Sequence, residues 1–192
     1  MFAGGCDFEV SEPSGAGLKP VLLGLAMALA LAAGGTDWRW RRIPNWLTVP
    51  GLLAGIAVNA AVSGLSGAKT SLLGAGLGLL LLLPFVFLRS LGAGDWKLAG
   101  ALGAIVGPGA LVDLLMGSIF VAGIMALGLV IYKRRARETF RNIGRMLRSM
   151  VMFRMPGAEV SLDNPRSLKI PYGVALALTT LLFGVGKLTG RL

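Results

Sequence analysis

The chain has 192 residues, 55% of them apolar, a formal net charge of +10 and a mean hydropathy of +0.74. Only 15% of its residues are charged, against about a quarter in an ordinary soluble domain, which excludes that class. Histidine is absent and cysteine occurs once, as Cys6. This excludes Ser-His-Asp and Cys-His catalysis, histidine-ligated or four-cysteine zinc, and an intramolecular disulfide. The bases cluster between apolar runs, as in cytoplasmic loops of membrane proteins, so nucleic acid is not the expected partner.

In chain order, residues 1–17 read as a polar tail carrying Asp7, Glu9 and Glu12, with no cleavable signal and with Cys6 as a free thiol. The first apolar span is expected from Leu18 to Gly35, with Pro20 tolerated near the helix start. It gives way to Asp37 and the basic cluster Arg39, Arg41 and Arg42. Pro44 and Asn45 punctuate the chain, and Asn45 is placed to cap a second span, Trp46 to Val62. A polar turn over Ser63 to Lys69 separates this from a third span, Thr70 to Leu88, in which Pro84 is expected to introduce a kink.

The turn Gly92-Ala93-Gly94-Asp95 follows. The next apolar stretch, Leu98 to Val106, is short, and Gly107-Pro108-Gly109 breaks it. Even counted from Asp95 it provides only ~18 Å of helix, yet it is expected to reach the far side of the membrane. A fifth span, Ala110 to Tyr132, ends in Lys133-Arg134-Arg135. Residues 133–167 form a cytoplasmic loop in which Phe140, Ile143, Leu147, Met150 and Val151 recur at helical spacing, with Arg141, Arg145 and Arg148 on another face. That pattern predicts an amphipathic helix lying on membrane lipid. A last span covers Leu168 to Gly186.

The expected fold is therefore all-α: one polytopic membrane domain over 1–192 with about six transmembrane helices. Placing the connections 37–45, 89–97 and 133–169 in the cytoplasm assigns them Arg39, Arg41, Arg42, Arg89, Lys97, Arg166, Lys169 and the eight bases of 133–154. Lys19, Lys69, Lys187 and Arg191 remain for the opposite side. The positive-inside rule then sets both termini outside and brings Asp37 and Asp95 to the same, cytoplasmic, face. Acids at the ends of hydrocarbon-length helices are costly and mark a functional site.

The two acidic stretches are alike, Asp37-Trp38-Arg39 and Asp95-Trp96-Lys97. The first, Asp37-x-Arg39 followed by Ile43-Pro44-Asn45-x-Leu47-Thr48, resembles the first catalytic motif of type IV prepilin peptidases. Gly92-x-Gly94-Asp95-x-Lys97-Leu98 resembles their second, the GxGD motif of membrane aspartyl proteases. Lys169-Ile170-Pro171-Tyr172-Gly173 is similar to the start of their last helix.

This resemblance implies an aspartyl endopeptidase of the inner membrane, without metal or cofactor. Asp37 and Asp95 would be its catalytic pair, with Gly92, Gly94, Lys97, Arg39, Pro44 and Asn45 binding substrate or shaping the site. The implied substrate is a prepilin with a short basic leader in the cytoplasm, cleaved where the leader joins an apolar helix. The nine residues from Asp37 to Asn45 contain no cysteine, unlike the extended first cytoplasmic region of the larger N-methylating members, so the chain resembles the minimal Tad/Flp pilus type. Archaeal preflagellin peptidases share both motifs. A proton-coupled transporter would need acids near mid-membrane, whereas a non-enzymatic assembly subunit would find both acids dispensable.

The chemistry needs one carboxylate ionised to activate water and one protonated to donate to the carbonyl. Two carboxylates sharing a site divide these states between them, because the second ionisation is opposed by the first.

Overall fold

The computed structural model describes residues 20–87, 91–132 and 171–190, and among them every regular element is helical. The polar tail and the amphipathic segment expected at 133–167 lie outside the described residues. The helices are α1 (Pro20–Trp40), α2 (Asn45–Phe87), α3 (Ala93–Tyr132) and α4 (Tyr172–Leu188). Three of them, α1, α2 and α3, are long and apolar enough to cross a membrane.

α1 runs five residues past the Gly35 boundary expected from sequence, so Asp37 lies inside the helix rather than beyond it. Its last turn is closed by the Arg41 N–H, which donates to Asp37 O at 2.8 Å. Arg41 itself has φ 51, an uncommon left-handed conformation for a residue with a side chain. Pro44 then disfavours helix at Ile43, and the chain passes through an unstructured corner before Pro44 O accepts Leu47 N–H (3.1 Å) and Thr48 N–H (3.4 Å) to open α2.

At 43 residues α2 would be ~65 Å long if straight, about twice a bilayer core. It is not straight. Gly64 (φ 61, ψ −146) is its one residue with non-helical dihedrals. Asn59 and Ser71, about 18 Å apart along a straight helix, both reach the carbonyl of Ala104. The chain therefore doubles back at Gly64, and the polar turn expected over 63–69 shrinks to a single glycine. Pro84 leaves the helical dihedrals of its arm uninterrupted.

α3 is built the same way. Its 40 residues are divided at Gly107 (φ 81, ψ 173). A side chain on Gly78 would meet both Ala99 O and Leu111 Cδ2, so residues on either side of Gly107 lie at one level and this helix too is a hairpin. Pro108 explains how the reversal is tolerated. Lacking an N–H, it leaves Ala104 O without its helical donor. Asn59 Nδ2 supplies one at 2.8 Å and also lies 3.0 Å from Ile105 O, while Ser71 Oγ donates to Ala104 O at 2.6 Å.

The first arm of α3 is the centre of the molecule. Every residue from Leu98 to Gly107 is buried, with Leu98, Leu102 and Ala104 wholly inaccessible. Its shortness follows from this placement, since the other helices rather than lipid surround it. Glycines on α2 allow the approach: Gly74 lies against Gly103 and Gly78 against Ala99. α4 sits between α1 and the second arm of α3, with Gly34 against Ala177 and Gly117 against Thr179. The outward faces carry Leu53, Leu73, Leu80, Phe120, Ile124 and Leu182, all more than half exposed.

Candidate active site

α4 begins without a conventional cap. Its N-cap residue is Pro171, which offers no side-chain hydrogen bond. The Pro171 carbonyl accepts from the N–H groups of Val174 (3.2 Å) and Ala175 (3.4 Å), and the N–H of Gly173 before them lies among those a helix start leaves without an intrahelical acceptor. Two remote carboxylates stand beside this turn. The Asp37 carboxyl packs against Gly173, where a Cβ would stand 2.8 Å from Oδ2, and the Gly173 backbone acts electrostatically on both Asp37 and Asp95. One turn of backbone thus faces acids from α1 and α3. The positive end of α4 provides a favourable environment for negative charge on either.

Asp37 comes from the last turn of α1 and is only 6% exposed. Its Oδ2 is buried and has no hydrogen-bond partner, an unusual condition for a carboxyl oxygen. Asp95 comes from the first turn of α3 and is partly buried. Its carboxyl also receives the Gly92 N–H and lies close enough to Asp37 for the two charges to interact. Arg41 is the cation that acts on Asp37.

Ile43 fills the space between the two acidic stretches. A Cβ at Gly94 would stand 3.0 Å from Ile43 Cβ and 3.2 Å from Ile43 O, and one at Gly173 would stand 2.8 Å from Ile43 Cδ1 and 2.8 Å from Asp37 Oδ2. Gly92 faces Asp95 itself, with a Cβ there 3.0 Å from Oδ2. The glycines thus leave room for the corner at Ile43 and for the carboxylates.

Among the other residues singled out from sequence, Lys97 and Asn45 are brought together: Lys97 Nζ donates to Asn45 Oδ1 at 2.9 Å, tying the start of α2 to the start of α3. Pro44 contributes its carbonyl to the opening of α2. Arg39 is exposed, with its guanidinium 6.0 Å from the Trp40 ring centroid. Trp38, Trp40 and Trp46 are well exposed, as expected of interfacial anchors. Trp96 instead turns inward, and its indole N–H donates to Leu79 O at 2.6 Å. Among the described residues no cluster of three or more His, Cys, Asp or Glu side chains is placed to hold a metal.

Gly173, Val174, Ile43 and Arg41 were not among the site residues expected from sequence. The signal for Gly173 was present in the Pro171-Tyr172-Gly173 segment, but its place beside the carboxylates depends on three helices converging.

Two neighbouring carboxylates at the ends of apolar helices, facing the start of α4, form an acid pair of a kind suited to amide hydrolysis. The chain belongs to the type IV leader peptidase family, whose sequence profile matches residues 24–127. The match spans most of α1, all of α2 and most of α3, including both acids, and stops short of α4. Membership implies a peptidase. No curated protein and no solved structure matches the chain.

Proposed function

We propose that this protein is a membrane aspartyl endopeptidase that removes the short basic leader of a prepilin, of the Flp-like type, at the cytoplasmic face of the inner membrane. Asp37 and Asp95 form the catalytic pair. One carboxylate takes a proton from water as the oxygen attacks the scissile carbonyl carbon, while the other carboxylic acid protonates the carbonyl oxygen. Collapse of the resulting diol breaks the C–N bond and sends a proton to the leaving amine. The observation that carries the reading is the convergence of Asp37, the Gly92-to-Asp95 turn and Gly173 around Ile43.

The chain crosses the membrane six times: α1, the two arms of α2, the two arms of α3, and α4. Support comes from the lengths of α2 and α3 and their reversals at Gly64 and Gly107. The leader-to-helix junction of a prepilin lies at the membrane surface, the level at which α1 ends and α3 begins.

The test uses purified protein in detergent and a purified prepilin. Asp37→Asn and Asp95→Asn each abolish leader cleavage while expression and insertion persist, because an amide cannot perform the proton transfers. The double variant is little worse than either single one, as for residues that act as a unit. Asp113→Asn, on an exposed part of the second arm of α3, cleaves normally. Substantial cleavage by either Asp37→Asn or Asp95→Asn would falsify the paired-carboxylate reading.

A further inference from the structure

Tyr172 precedes Gly173 at the start of α4, and its hydroxyl lies 2.7 Å from Ser118 Oγ on the second arm of α3. Ser118 is completely buried. Its one hydroxyl proton has a second contact, Leu115 O at 2.8 Å. The arrangement that satisfies both contacts has Ser118 donating to Leu115 O and accepting from Tyr172. The phenol proton is then committed to Ser118 and is not delivered to Asp95, although the ring lies within electrostatic reach of that acid. Tyr172 is consequently a strut rather than an acid.

What the strut holds follows from its place in the chain. The first turn of α4 has no side-chain cap, and the next residue, Gly173, is the one packed against the Asp37 carboxyl. On its other side α4 rests on α1 through the close approach of Gly34 to Ala177. With Gly34 on one flank and Ser118 on the other, the height and rotation of the Gly173 N–H are fixed relative to both acids. The buried, unpartnered Oδ2 of Asp37 lies 2.8 Å from where a Gly173 Cβ would stand, so a small rotation of this turn would close or open that space.

We propose that the Ser118–Tyr172 hydrogen bond is a positioning device that sets Gly173 and the first turn of α4 against Asp37 and Asp95. The proposal rests on the paired-carboxylate reading above and adds to it two residues, one of which, Ser118, comes from an arm carrying neither acid.

The experiment uses the full chain in detergent with a purified prepilin, measuring kcat, KM and the pH profile for Tyr172→Phe, Ser118→Ala and the double variant. Each single variant lowers kcat by roughly 10- to 100-fold, the penalty for misplacing reacting groups by up to about 1 Å. KM stays within about twofold, and the pH profile is displaced, since the turn no longer faces the two acids in the same way. The double variant matches the single ones, because each removes the same bond. Wild-type kcat and pH profile in Tyr172→Phe and Ser118→Ala overturn the proposal, as does a loss that only follows the fraction of folded protein with the pH profile in place. Asp37→Asn and Asp95→Asn are run alongside. If they are inactive while Tyr172→Phe and Ser118→Ala are normal, only the positioning role fails; if they remain active, both readings fall together.

Discussion

At the scale of single residues, the site depends on the absence of side chains as much as on the presence of two. A methyl group on Gly173 would stand 2.8 Å from both Asp37 Oδ2 and Ile43 Cδ1. The isoleucine end can rotate away, but the carboxyl oxygen cannot do so without leaving its place in the pair. Gly173→Ala is therefore expected to insert normally and to lose about 100-fold in kcat, read in the prepilin cleavage assay against the amount of detergent-stable protein. The pH profile of the unaltered enzyme belongs to the same scale. On the proposed mechanism one acid is protonated and the other ionised, so activity is expected to fall at low pH when both are protonated and at high pH when both are ionised. The two apparent constants belong to the pair rather than to either residue. A profile with a single limb would sink the shared-proton mechanism. Asp37 and Asp95 were legible in the sequence because acids beside apolar runs are rare and costly. Gly173 was legible only as part of a segment resembling a helix start, since nothing local reveals that it packs against the Asp37 carboxyl and Ile43.

At the scale of helices, breaker residues showed where the chain turns but not how little of it the turn consumes. Ser63 to Lys69 and Gly107 to Gly109 both read as interhelical connections, and in each case one glycine at positive φ makes the reversal. The carbonyl groups freed by such a tight turn have to be satisfied inside the bundle. Asn59, which lies 45 and 46 residues away in sequence, donates to Ala104 O and Ile105 O, and Ser71 adds a second donor at Ala104 O. A lone asparagine in an apolar stretch carries no sign of such a partner. Asn59→Leu is expected to leave these carbonyls without that donor at a cost of about 1–3 kcal/mol. It should appear as a lower unfolding temperature in detergent, with cleavage by the surviving folded protein near normal, because the bond lies at the Gly64 and Gly107 end, away from the acids. Gly107→Ala combines a left-handed backbone with a methyl group 2.9 Å from Thr70 Cγ2, and should be at least as destabilising. An unchanged unfolding temperature for Asn59→Leu would show that this cluster contributes nothing to holding the two hairpins together.

For the molecule as a whole, the hairpins and the charge pattern bear independently on the orientation in the membrane. Reversals at Gly64 and Gly107 lie at one end of the bundle, joined by Asn59, Ser71 and the approach of Thr70 to Gly107. The acids lie at the other end, with Asn45 and Lys97 bonded beside them. Arg39, Arg41, Arg42 and Lys97 share the acid end, while Lys69 stands near the Gly64 reversal. The positive-inside rule assigns the richer end to the cytoplasm, which is where a basic leader emerging from an apolar helix would meet the acids. With the six crossings proposed above, both chain termini would lie outside. Reporter fusions after Ser66 and after Leu192 are expected to report an outside location and fusions near Arg148 a cytoplasmic one. A cytoplasmic signal after Ser66 would invert the bundle. It would leave the acid pair intact but on the side of the membrane opposite the leader, and the proposed substrate could not reach it.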